Sequence, residues 1–206
     1  MLRTSAGGQS GDRRRRAPSK DVILRVAAEL FDRVGYHAVS MEQLAGELGI
    51  SKPTLYVHVD SKPAIMRGIV DQWIGECDAA LEVALDEPTA SRRLQSFLRS
   101  WTAIAIRDSA HARVFEYARK EIPAEAERYD EWSRQTFRTI RQVIRSGQAS
   151  GEFRRDRNAT VVTFMLFGVL TSTSRWYREH GPLTAAEIAD EYWLVYGSGL
   201  LRGAGH

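Results

Sequence analysis

The first folded stretch keeps its apolar residues on one side of a helix: Ile23, Val26, Ala27, Leu30, Phe31 and Val34 recur at spacings of three and four. Gly35 follows as a stop. A second helix starts at Ser40, with Gln43 three residues on, the pairing of a capping box, and runs through Leu44, Ala45 and Leu48 to Gly49. Ser51 opens a short helix over 52–58, and Ser61 opens another. Pro53 and Pro63 sit in their first turns, where a missing N–H costs little. Beyond Ser61 the pattern predicts long helices over 61–84, 89–107, 109–120, 123–148, 157–179 and 184–201. The breaks fall at Pro88, Pro123, Gly147–Gly151 and Gly181–Pro182. Thr184 and Glu187 form a second capping box. No segment alternates with period two, so the predicted fold class is all-α. The run Thr163–Leu170 is apolar nearly all round, which predicts burial on every side.

Residues 40–59 read SMEQLAGELGISKPTLYVHV: two short helices around a tight turn at Gly49-Ile50. That is a helix-turn-helix, whose second helix can enter the major groove and meet a distinct pattern of donors and acceptors. Leu55 and Val59 share the face that packs inward, and Ile50 anchors the turn. Ser51, Lys52, Thr54, Tyr56 and His58 give the rest of this helix its polar surface. Each also has a plainer reading: caps for the serines, solvated charge for Lys52 and His58, a half-buried ring for Tyr56.

Charge supports nucleic acid as the partner through its placement. Residues 1–20 carry Arg3, Arg13, Arg14, Arg15, Arg16 and Lys20 against one acid, Asp12, whereas residues 21–60 are net acidic. The stretch 1–18 has no apolar periodicity and reads as a disordered basic arm. Arg13–Arg16 would reach phosphates or the minor groove of double-stranded operator DNA, or merely solubilise. With 206 residues, 43% of them hydrophobic, the chain can bury a core without staples. Its single cysteine, Cys77, excludes an internal disulfide and fits a reducing compartment. No secretory leader or membrane span is expected, so the expected location is cytoplasmic. His37, His58, His111, His180 and His206 are scattered and there is no CxxC, HExxH or glycine-rich phosphate loop, so neither metal nor cofactor is expected. Glu125, Glu127, Asp130 and Glu131 read as an acidic, solvated helix face.

The sequence resembles the Tet repressor family of bacterial regulators. The resemblance rests on Ile23-Leu24, Ala27-Ala28, Leu30-Phe31, Gly35-Tyr36, Ser40-Met41, Ile50-Ser51-Lys52, Thr54-Leu55-Tyr56 and Ser61-Lys62. The family's usual Tyr-x-His-Phe appears here as Tyr56, Val57, His58 and Val59. The resemblance implies that Thr54 and Tyr56 contact phosphates or base edges. It likewise implies that His58, Ser40 and Lys62 meet the DNA backbone, with Lys62 at the start of the fourth helix. It further implies a homodimer through the last two helices and a helical ligand-binding domain for a small-molecule effector.

The domains expected are therefore a basic arm over 1–18, a helix-turn-helix domain over 19–65 and a sensing and dimerising domain over 66–206. The stretch from Phe115 to Gly151 and the ending Arg175-Trp176-Tyr177 to Ile188-Ala189 resemble members that control lipid, sterol or acyl-thioester catabolism. Trp73, Trp101, Phe115, Phe137, Phe164 and Phe167 are candidates to line a pocket, or are plain core. Gly168 is expected to border that pocket. Arg141, with Arg138 and Arg145 on one helix face, would meet an acyl-CoA's phosphates, or is surface charge. The function expected is a repressor released from its operator by a small apolar ligand. The alternatives are a ligand-free architectural DNA binder and an enzyme with an appended DNA-binding module.

Overall fold

The computed structural model describes residues 18–178 and 181–201. These form α1 (Lys20–Val34), α2 (Met41–Leu48), α3 (Lys52–His58), α4 (Lys62–Leu85), α5 (Ala90–Arg107), α6 (Ser109–Glu121), α7 (Pro123–Ser150), α8 (Ala159–Trp176) and α9 (Ala185–Leu200). No strand occurs among the described residues, apart from an isolated bridge between Phe153 and Leu201. Each of the first four helices begins on a serine whose hydroxyl accepts a backbone N–H: Ser19, Ser40, Ser51 and Ser61. Both expected capping boxes form, at Ser40–Gln43 and at Thr184–Glu187. Gly49 ends α2 in the left-handed conformation (φ 65°), which a residue with a Cβ rarely adopts.

Two helix limits differ from those the pattern predicts. Asn158 caps α8, so this helix starts later than expected and stops at Trp176. α7 runs on through Gly147 to Ser150 and ends at Gly151 (φ 87°). Gly147 is there for closeness: a Cβ would lie 2.3 Å from the buried Phe153 ring and 2.8 Å from Ala90. The turn after α7 also holds the start of α5, because the Glu152 carboxylate accepts the N–H groups of Ala90 and Ser91 at 3.2 and 3.0 Å. Burial opposes charge on Glu152, but those N–H bonds and the Ser150 hydroxyl hold its carboxyl below the usual carboxylate range.

α1, α2 and α3 pack around Ile23, Ala27, Phe31, Leu44, Leu55 and Val59. α4 carries this core onward without a break, burying Ile65, Met66, Ile69 and Val70 and then Trp73 and Cys77. The expected domain limit at 65/66 thus falls inside one continuous helix of 24 residues. The remaining helices build the second core around Phe97, Leu98, Ile140, Ile144, Leu166 and Leu170.

Within one chain the run Thr163–Leu170 is buried on one side. Thr163, Leu166 and Leu170 face the core, but Phe164 and Met165 are 63% and 57% exposed. One side of α8 packs on α5, α6 and α7, and the other faces outward.

Candidate DNA-reading helix and sensing cavity

In the helix-turn-helix, buried Leu55 and Val59 seat α3, and Ile50 packs against the same core. The opposite side is open. Tyr56 is 45% exposed and Val57 80%. Val57 was passed over in the sequence, although its place opposite Leu55 and Val59 marks it as outward. Ser51 caps α3, and its hydroxyl lies 2.7 Å from that of Thr54, so the two present one joined polar group. Lys52 is exposed and 3.5 Å from Glu42, while His58 is half-buried. Ser40 stands at the start of α2, its hydroxyl taken by the Gln43 N–H.

Lys62 is differently employed from what the family pattern implies. Its ammonium donates to the backbone carbonyls of Tyr36, His37 and Val39 at 2.8, 3.3 and 2.7 Å and lies 4.6 Å from the Tyr36 ring centre. All three of its donors are engaged, so it ties the α1–α2 turn to the start of α4. Arg13, Arg14, Arg15 and Arg16 lie outside the described residues.

A cavity of about 410 Å³ opens among α4, α5, α6, α7 and α8. Trp73, Trp101, Phe115, Phe137, Phe164 and Phe167, the aromatic residues singled out in the sequence, all line it. Trp132 and Tyr129, which sequence reasoning missed, complete the wall. Trp132 stacks on Trp101 at 5.8 Å and donates its indole N–H to Asp78 at 2.7 Å. Arg119 lies over the Tyr129 ring at 4.6 Å, within 3.8 Å of Glu116 and 3.6 Å of Asp130. Arg141, expected to meet an acyl-CoA's phosphates, stands outside the cavity wall. Its guanidinium is 5.9 Å from the Phe137 ring centre, one turn further along α7, where the helix has left the cavity behind. Gly168 is a correction, since it is exposed and a Cβ there would meet nothing within 4 Å. It sits on the outward side of α8.

The cavity wall is bonded to the reading domain. Arg113 on α6 makes a two-pronged ion pair with Asp32 on α1, at 2.8 and 2.7 Å, and donates to the carbonyl of cavity-lining Ser174 at 2.6 Å. Tyr117 on α6 packs against Tyr36 at 6.1 Å. Between α4 and α7, Arg128 pairs with Asp71 and reaches Glu125 at 2.8 Å, while Arg67 stands 3.4 Å from Glu125. Glu125 is therefore buried and paired, contrary to the solvated acidic face read from the sequence. Burial favours the neutral form of two titratable groups. Burial, with Asp78 and Glu76 nearby, pushes the Cys77 thiol well above its ordinary value. Burial lowers His111, against the pull of Asp108, and its Nε2 has no hydrogen-bond partner.

No group of metal-ligating side chains, and no helix long and apolar enough to cross a membrane, occurs among the described residues. Residues 23–69 match the family model for bacterial regulatory proteins of the tetR family, and residues 87–200 match that for the tetracyclin repressor-like C-terminal domain. The chain belongs to the TetR family. Among its relatives, the transcriptional repressor KstR2 of Mycolicibacterium smegmatis is 25% identical over 200 residues, covering 92% of this chain and 94% of that one. The solved ketosteroid transcriptional regulator KstR2 of Mycobacterium tuberculosis superposes with a TM-score of 0.83 at 20% identity, over 89% of this chain and 95% of that one. AibR, solved in complex with isovaleryl coenzyme A and operator DNA, gives 0.74 at 20% identity, over 85% and 96%. In TetR-family terms α1–α3 are the helix-turn-helix domain, and the chain is a transcriptional regulator.

Proposed function

We propose that this TetR-family regulator is a homodimeric repressor that an apolar effector, of the acyl-thioester or steroid-derived class, releases from operator DNA. The observation that carries the reading is the aromatic cavity beside α4, the helix joined to the reading helix by a linker of three residues. Its volume of about 410 Å³ suits a small-molecule site, and its walls are mostly apolar. The naming of KstR2 as a ketosteroid transcriptional regulator and the isovaleryl coenzyme A in complex with AibR support the effector class.

On the DNA side, α3 enters the major groove. Tyr56, Thr54 and Ser51 meet phosphates and base edges, and exposed Val57 offers an apolar contact of the kind a thymine methyl takes. Lys52, His58 and the N-terminal end of α2 at Ser40 add backbone contacts, and Arg13–Arg16 neutralise further phosphates. Lys62 serves instead as the lock on the α1–α2 turn.

The second copy covers the outward sides of α8 and α9. Val161, Phe164, Met165, Leu194 and Val195 are exposed apolar side chains on these two helices. Between them runs a groove lined by Val162, Val169 and Tyr196. A patch of this kind on two adjacent helices closes into a four-helix bundle with its copy. The bundle would hold the two α3 helices about 34–36 Å apart, one turn of DNA. An effector that fits the cavity only when α4 and α6 shift would spoil that spacing. Arg113 and the α4–α7 ion pairs would carry the shift to the reader.

The test is fluorescence anisotropy with an operator selected from random duplexes. Octanoyl-CoA should release the wild-type protein. Tyr56→Ala should bind the operator at least about tenfold more weakly while keeping its fold and dimer. Full operator affinity in Tyr56→Ala, or no release by any acyl-CoA or steroid thioester, would defeat the reading.

A further inference from the structure

One face of α7 carries a stripe of arginines of which only the first is ion-paired. Arg134, Arg138, Arg141 and Arg145 recur at spacings of four, three and four, so they form one stripe along the helix. At 1.5 Å per residue the stripe is about 16 Å long. It begins at the sensing cavity, where Arg134 lines the wall and pairs with Glu131 at 2.7 Å. It passes Phe137, a cavity residue over which Arg141 lies, and continues outward. There Arg138, Arg141 and Arg145 join Arg93 of α5 in a groove of about 680 Å³, flanked by the neutral Gln135, Thr139, Gln142 and Ser146.

Most arginines near the cavity and the reader are neutralised: Arg67, Arg113, Arg119, Arg128 and Arg134 each have a carboxylate within 4.0 Å. Among the described residues, Arg93, Arg138, Arg141 and Arg145 have none. Like charges one turn apart repel. A guanidinium fork suits phosphate, which it binds through paired, charge-assisted hydrogen bonds. The groove thus gathers four guanidinium groups, one of which, Arg141, lies over the ring of the cavity residue Phe137.

We infer that this groove binds the phosphates of the effector, as the 3′-phosphorylated nucleotide end of a coenzyme A thioester whose acyl end fills the cavity. The inference rests on the reading of the cavity as the effector site, and it adds the half of the ligand that the cavity cannot hold. Arg138, Arg141 and Arg145 are specificity residues that select a nucleotide-bearing thioester over the bare acid or steroid.

The test compares the wild-type dimer with the triple variant Arg138→Gln/Arg141→Gln/Arg145→Gln, by calorimetry and tryptophan fluorescence. The probes are octanoyl-CoA, adenosine 3′,5′-bisphosphate and the octanoyl thioester of N-acetylcysteamine. Expected is a loss of at least about tenfold in octanoyl-CoA and bisphosphate affinity in the triple variant, with binding of the short neutral thioester unchanged. Melting temperature and dimer mass should match the wild type, since these side chains make no ion pair in the fold. Equal octanoyl-CoA affinity in the two proteins, or no bisphosphate binding by the wild type, would overturn the inference. Failure of the neutral thioester to bind, with bisphosphate binding still lost in the triple variant, would defeat the cavity reading and leave the phosphate groove standing.

Discussion

Single residues differ here in what their neighbours leave them free to do. His111 is buried with an unpartnered Nε2, and burial lowers it from 6.5. Asp108 pulls the other way, while Arg107 and Arg25 oppose a proton. The folded protein therefore binds this proton less readily than the unfolded chain. Stability attributable to His111 is complete above its unfolded value and is lost as the pH falls through that value toward the lower folded one. Melting temperature should drop between about pH 7.5 and pH 5.5, and drop less in His111→Gln. An identical pH profile in the variant would show that other groups control the loss. The outward set on α3 was legible in the sequence because Leu55 and Val59 fix which side is inside, and polarity then marks the rest. Lys62 was not legible. Its partners are backbone carbonyls of a turn 23 to 26 residues earlier, and no side-chain pattern records where a carbonyl points.

At the scale of elements, hydrophobic spacing and cap residues foretold every described helix, since both act within one or two turns. They could not foretell that α7 passes Gly147, because that glycine answers to Phe153 across the turn and to Ala90 on another helix. Nor could periodicity separate a cavity wall from solid core. Tyr129 and Trp132 flank the acidic Asp130 and Glu131 in the sequence, and only the five helices placed around them mark them as cavity wall. The link between elements rests most on Arg113, which joins α1, α6 and the end of α8. Arg113→Gln should cost about 1–2 kcal/mol of stability in urea unfolding. It should leave operator affinity within a few-fold of wild type while blunting release by octanoyl-CoA. Undiminished release would remove Arg113 from the route between cavity and reader.

For the whole molecule, the exposure of Phe164 and Met165 on α8 fits the proposed second copy, which would bury this side of the apolar run. A charge on that face should separate the subunits. Val195→Glu, on a side chain 70% exposed, should run as a monomer in size-exclusion chromatography with light scattering and keep its helical content. Its operator affinity should fall by at least about tenfold, because the two readers no longer bind as a pair. A dimer of unchanged mass would place the interface elsewhere.

If cavity and reader are two sites on one switch, their affinities are bound by reciprocity: whatever the effector does to operator binding, the operator must do to effector binding. The most direct measurement is the dissociation constant of octanoyl-CoA, read from quenching of the cavity tryptophans, with and without saturating operator. The expected result is at least about tenfold weaker binding to the DNA-bound dimer than to the free one. Equal constants in the two states would contradict a switch and leave the cavity a binding site with no hold on the DNA.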